Sequence, residues 1–236
     1  MDRRQRKLQD KRKKREQAKR RSQVRASRKP SDDELLARKG ARAPFGPCFV
    51  SVGWDDLEVA RLVTLIVTRA IESDVLLPHI LLVDRTCLGI KNAMMKGPGP
   101  DDELEELVET VGMAHGGMEE CEPLFAQSII YHALDYAKKL GFSPNRDFHE
   151  ALVGPRPETL IATPWHNLDR PLYIPGPDDD FHRNIARLRQ VVGNAFDLAD
   201  LSGGPNVNAP WLLEDVDNDT DDDDVDGDDP DGDDAK

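Results

Sequence analysis

The sequence predicts an α+β fold, with α/β as the alternative: a single domain in which a small sheet is packed by helices. Three observations predict it. Short apolar and β-branched runs (48–52, 78–83, 171–174) alternate with longer segments of helical apolar spacing, and Gly or Pro punctuates the boundaries. The 236-residue chain sends its charge to its ends, with +12 in residues 1–30, −13 in residues 211–236 and −12 between them. The stretch between the charged ends is long enough for one sizeable core.

Composition narrows the class further. No run approaches the roughly 18 consecutive apolar residues of a membrane span, and no apolar region follows the charged N-terminal stretch as a secretory signal requires. Cys48, Cys87 and Cys121 are odd in number and far apart, so neither a disulfide framework nor a zinc spacing is read from them. The expected location is the cytoplasm. The expected organisation is a basic arm (1–30), a short helix and linker (31–43), a globular domain (44–201) and an acidic tail (202–236).

In the arm, Lys, Arg, Gln and Ala favour helix, but Leu8 and Val24 are almost its only apolar side chains. With no face to bury, it is expected to be disordered or a solvated helix. Ser31 followed by Asp32, Asp33 and Glu34 reads as a capped helix start, ending near Gly40. Residues 48–52 read as a strand. Asp55 or Asp56 then caps an expected helix through about Glu72, apolar all round and therefore buried on most sides; its β-branched content makes strand the alternative, against which stands a length of about 17 residues.

The most apolar run follows, a strand from about Pro78 to Val83 that ends in Asp84, Arg85, Thr86, Cys87, Leu88, Gly89, Ile90, Lys91 and Asn92. Strand, helix and strand in this order suit a right-handed crossover between parallel strands. Beyond the Lys96–Pro100 loop, Asp101 opens an acidic helix with Leu104, Leu107, Val108 and Val111 inward, ending at Gly112. Pro123 sits at the first position of the best-formed helix, which Gly141 ends. A short helix follows at 147–153. Residues 159–163 and 171–174 read as the two strands of a hairpin. Asp178 to Asp180 cap a last helix, Phe181 to Val192, with Ile185, Leu188, Val191 and Val192 buried. The terminal Asp run is disordered on composition.

The candidate chemistry gathers at the end of the apolar run. Asp84 stands where an open α/β sheet places a metal ligand or catalytic carboxylate, although an Asp there also ends strands and satisfies loop N–H groups. Cys87 as a nucleophile needs a neighbouring base, and none is placed beside it in the sequence. It reads more simply as a small buried thiol. Lys91 lacks the Gly-rich partner of a phosphate loop. The histidines (His79, His115, His132, His149, His166, His182) show no HxxxH or HExxH spacing and read as surface or hydrogen-bonded groups, with His166 and His149 in loop-like segments. Asp84 with Asp178 or Asp180 is the one set of carboxylates to which a divalent cation is assigned, against the simpler reading of the latter as helix caps. No other cofactor is expected. The terminal DNDTDDDDVDGDD run lacks the Gly-to-Glu spacing and flanking helices of an EF-hand.

The segments ILLVDRTCLGIKNAM, AQSIIYHALDYAKKLGFSPNRDF and RPLYIPGPDDD resemble those of a group of bacterial proteins of unknown function, a domain that shares runs close to LVD..CLGVK, A..I...A..YA..LGF.P..D and G.P.Y..GP.D. The resemblance covers about Pro44 to Gly193. It implies the domain limits and the importance of the three segments, and it implies no activity. Asn167-Leu168-Asp169-Arg170 precede Pro171 where that group's pattern has a glycine near the turn, so the third match is the loosest.

Two functions are expected from this pattern. The first is a non-enzymatic cytoplasmic binding or adaptor protein whose arm contacts RNA, the ribosome or DNA. Arg3, Arg4, Arg6, Lys7, Lys11, Arg12, Lys13, Lys14, Arg15, Lys19, Arg20 and Arg21 would meet phosphates through counterion release. The arm's charge also permits self-association with the acidic tail. The alternative is a metal-dependent hydrolase, phosphodiesterase- or nuclease-like, using Asp84 with Asp178 or Asp180. Whether the chain is an enzyme stays open, as do its substrate and oligomeric state.

Overall fold

A computed structural model describes residues 31–56, 61–163 and 170–199. These residues build an α+β fold around a five-stranded antiparallel sheet. In chain order the elements are α1 (Asp32–Gly40), β1 (Phe45–Ser51), β2 (Leu62–Glu72), β3 (Val75–Asp84), β4 (Gly89–Met95), α2 (Asp101–Met113), β5 (Met118–Cys121), α3 (Pro123–Lys139), α4 (Glu150–Val153), β6 (Leu172–Tyr173), α5 (Phe181–Val192) and β7 (Asp197–Leu198). The order across the sheet is β4-β3-β2-β1-β5, so a four-stranded meander is extended beyond β1 by β5.

The helix expected through Glu72 is a strand where it is described. Residues 62–72 form β2, and residues 57–60 lie outside the described residues. Six of the eleven residues of β2 are β-branched (Val63, Thr64, Ile66, Val67, Thr68, Ile71), which crowd a helix and pack well on a pleated surface. A two-residue turn, Ser73 and Asp74, joins β2 to β3, and the strands pair antiparallel from Glu72↔Val75 to Leu62↔Asp84. This hairpin replaces the expected parallel crossover, and β3 is longer than the run 78–83.

Both faces of the sheet are covered, which explains the unbroken apolar character of β2 and β3. Val63, Leu65, Val67, Leu81, Val83 and Ile90 meet Ala126, Ile129, Ile130 and Ala133 of α3. On the opposite face Ile66, Leu76 and Ile80 meet Leu104 and Val111 of α2, with Leu107 and Val108 partly buried as expected. The chain leaves β4 at one edge, crosses this second face as α2, and returns as β5 at the other edge.

The caps follow the sequence. The Ser31 hydroxyl accepts the Glu34 N–H at 3.2 Å. Pro123 opens α3, Lys138 and Lys139 close it, and Gly141 turns out of it at φ +82°. Helix α1, read from the sequence as a short helix ahead of the globular domain, packs Ala37 against Leu77 and Leu152. Below it, Arg69 donates from Nε to the Leu152 carbonyl at 2.8 Å and from Nη1 to that of Ala43 at 3.0 Å, with its guanidinium 3.6 Å from the Phe45 ring centre.

The expected hairpin of 159–163 with 171–174 does not form. Residues 159–163 form no strand, and the Ile161 N–H is donated to Ser128 Oγ at 2.9 Å. Residues 164–169, including His166, lie outside the described residues, as do 1–30 and 200–236. β6 pairs instead with β7, in parallel, through Leu172↔Asp197 and Tyr173↔Leu198. In α5, Leu188 is buried as expected whereas Val191 is exposed, because the helix turns one narrow stripe inward.

Gly89 tests how closely α3 approaches the β3–β4 turn. Its φ is +75°, and a Cβ there would stand 2.7 Å from the Ala137 Cβ and 3.1 Å from the Ala133 carbonyl oxygen. Gly89→Ala is expected to lower stability by about 2–4 kcal/mol, from backbone strain and overpacking together. Urea unfolding followed by circular dichroism measures it.

Candidate functional site

The chemistry-bearing residues of the apolar run gather at the turn between β3 and β4. Asp84 is the last residue of β3 and pairs with Gly89, so its carboxylate points into the turn it closes. Oδ1 accepts the Thr86 N–H at 2.8 Å, the Thr86 hydroxyl at 2.8 Å and the Cys87 N–H at 3.0 Å. Oδ2 accepts the Leu88 N–H at 3.0 Å. The side chain is fully buried. Burial raises its pKa above the usual carboxylate range, against the lowering effect of the Leu88 N–H, the Lys91 charge and the Thr86 donors.

The turn is tied to the C-terminal part of the fold by the same residues. Thr86 Oγ1 lies 2.8 Å from the Leu172 carbonyl oxygen, and the Leu172 N–H is donated back to the Thr86 carbonyl at 3.2 Å. Lys91, two residues into β4 from Gly89, donates from Nζ to the Ile174 carbonyl and to Asp179 Oδ2 at 3.0 Å. The Lys91 and Asp179 side chains are only 9% and 13% exposed. Asp179 Oδ2 also accepts the Gly176 N–H at 2.8 Å and the Tyr173 hydroxyl at 3.2 Å. The 174–179 loop thus wraps the lysine tip, and a Cβ on Gly176 would stand 2.9 Å from Lys91 Cε.

Cys87 points into a second apolar cluster with Leu88, Ala137, Leu140, Phe142, Tyr173 and Leu188. Burial raises its pKa well above the ordinary thiol range, and the Asp84 and Asp179 charges raise it further. Enclosed in that apolar cluster, the thiol contributes packing. The β3–β4 turn, the end of α3 and the loop before α5 therefore meet here.

The structure places the remaining candidates apart from this cluster. Asp178 and Asp180 are exposed, and Asp180 is the N-cap of α5, accepting the Arg183 N–H at 3.1 Å. Asp179, between them, is the residue that enters the cluster. In the sequence it is one of three successive aspartates after Gly176 and Pro177, with nothing local to separate it from its neighbours. Among the described residues no group of three or more His, Cys, Asp and Glu side chains is placed to hold a metal ion.

Among the histidines, His115 shares a hydrogen bond with Thr64 Oγ1 at 2.9 Å and His132 lies 3.3 Å from the Ile161 carbonyl. His79 departs from expectation. It is fully buried on β3, stacks on Phe148 and leans on His149, each at 5.9 Å between centres. Burial, then the neighbouring His149, pushes its pKa down to about 3, with the Asp147 backbone opposing. Its place in an otherwise apolar strand was legible, but its full burial was not.

No protein-family model, curated protein or solved structure matches the chain. The geometry of the cluster is that of a polar fastening: both Asp84 oxygens and Asp179 Oδ2 accept from donors of the chain itself.

Two outcomes are expected of these groups. Lys91→Met leaves the Asp179 carboxylate inside the fold without its cation and should cost about 2–4 kcal/mol of unfolding free energy, read from denaturant midpoints. His79 binds a proton less readily folded than unfolded, so its contribution to stability is complete above about 6.5 and is lost as pH falls toward about 3. In His79→Leu, urea midpoints measured across that window should fall less steeply with acid than in the parent chain.

Proposed function

We propose that the chain is a non-enzymatic adaptor of the cytoplasm, in which a folded α+β body carries a basic arm to the phosphate backbone of RNA, alone or within the ribosome. The observation that carries this reading is the +12 charge of residues 1–30 on a chain whose other parts are acidic. An acidic body repels a polyanion, so the arm is the one segment able to supply the affinity, through release of condensed counterions. A second observation supports the same reading. Asp84, Cys87 and Lys91, the candidate residues at the end of the apolar run, are engaged in holding its fold together. Among the described residues no helix is long and apolar enough to cross a membrane.

Binding of this kind carries no base readout. It should therefore appear with a mixed-sequence single-stranded RNA, weaken steeply with salt and vanish when residues 1–30 are removed. Fluorescence anisotropy of a labelled RNA checks this, with a log–log salt slope of about −0.7 for each phosphate contacted. Absence of binding by the full chain at low salt would overturn the proposal. So would undiminished binding by the chain lacking residues 1–30.

A further inference from the structure

Two of the three cysteines, read from the sequence as unrelated, are brought together by the sheet. Cys48 on β1 and Cys121 on β5 are direct partners in the antiparallel register. Residues opposite one another on adjacent strands project from the same face, and both enter the core beneath α3, Cys48 fully buried and Cys121 at its margin. Their proximity is also electrostatic, since a charge on Cys48 raises the pKa of Cys121.

The register gives the type of pairing. The Val52 N–H is donated to the Gly117 carbonyl at 3.1 Å, which marks that opposed pair as hydrogen-bonded. Two pleats along the same ladder, Cys48 and Cys121 form a pair of the same type, for which the Cα separation is about 5.5 Å. That lies inside the range of about 4.4–6.8 Å that disulfides span. The Cβ atoms of such a pair stand near the upper end of about 4.5–5.5 Å, against about 3.8 Å in a relaxed disulfide. Closing the bond therefore draws the strands together and leaves it under strain. The local structure can yield. β5 is a four-residue edge strand paired only with β1, and the β1–β2 ladder is irregular between Phe45 and Cys48.

We propose that Cys48 and Cys121 are a redox pair that closes a reversible cross-strand disulfide in response to a peroxide. Cys121, the more exposed of the two, attacks hydrogen peroxide as its thiolate. The O–O bond breaks, a sulfenic acid forms on Cys121, and the released hydroxide takes up the thiol proton to leave as water. The Cys48 sulfur then attacks the Cys121 sulfur, the S–O bond breaks, and a second water departs carrying the Cys48 proton. Two thiols have lost two electrons and two protons, and one peroxide has become two waters. A dithiol reverses the bond by exchange, and strain favours that direction. Burial pushes the Cys121 pKa up to about 12 and raises that of Cys48, so closure is slow at neutral pH and quickens as pH rises. Cys87, in the separate cluster beneath α5, is left as a thiol.

The test uses the full, folded chain. It is exposed to hydrogen peroxide at mildly alkaline pH, its circular dichroism is checked for retained structure, and it is alkylated under denaturing conditions. Peptide mapping without reduction should find Cys48 joined to Cys121, Cys87 alkylated and a loss of two hydrogens per chain. Dithiothreitol should restore all three thiols. Cys87→Ala should leave the link intact and Cys121→Ser should abolish it. The mapping on the parent chain decides the matter even if a variant fails to fold. Oxidation that stops at a sulfenic or sulfinic acid on Cys121, a Cys121 disulfide between two chains, a link through Cys87, or no link at all would each overturn the proposal.

Discussion

The Asp84 carboxylate is where the sheet, the turn and the C-terminal segment become one structure. Four donors from three successive residues converge on it, so the turn between β3 and β4 is shaped around a buried acceptor in place of solvent. That shape sets Thr86 against Leu172 and lets β4 begin at Gly89, which in turn puts Lys91 within reach of Asp179. Removing a charge from water is costly, and only this full set of partners makes it tolerable.

The sheet supplies the frame for this arrangement. β2 and β3 are central strands with helices on both faces, and neither face has a reason to be polar. The alternation that marks a half-exposed strand is therefore missing. A continuous apolar run is consistent with a buried strand or a buried helix, and length alone pointed the wrong way for residues 62–72. The β-branched content of Val63, Thr64, Ile66, Val67 and Thr68 was the better guide, because their restricted χ1 suits a pleat. Asp74 in the turn after Ser73 marked the reversal that made the pair a hairpin.

The buried polar groups fall into two kinds. Asp84, Lys91 and Asp179 are satisfied, and they specify where the 174–179 loop must lie. His79 is held neutral by burial between Phe148 and His149. Asp84, Cys87 and Lys91 were recognisable in the sequence as a group, because they end one apolar run. Their partner Asp179 was hidden between two equally plausible aspartates, and only the direction of the chain after Gly176 distinguishes it. The facing of Cys48 and Cys121 was hidden more deeply. It depends on β5 returning across the sheet to the outer edge of β1, a consequence of how α2 packs.

Taken alone, the sequence determined what local chemistry dictates: the α+β composition, the Ser31 cap, the start of α3 at Pro123 and its end at Gly141, the buried stripe of α2, and the strongly opposite charges of residues 1–30 and 211–236. These follow from backbone preferences and periodicities that extend over a few residues. The tertiary structure alone decided the identity of β2, its antiparallel pairing, the parallel partner of β6, and the fastening role of the β3–β4 turn. Each of these depends on contacts between residues distant in the chain, where the free energy comes from mutual burial and paired hydrogen bonds. Such terms exist only once both partners are in place, and no local pattern carries them.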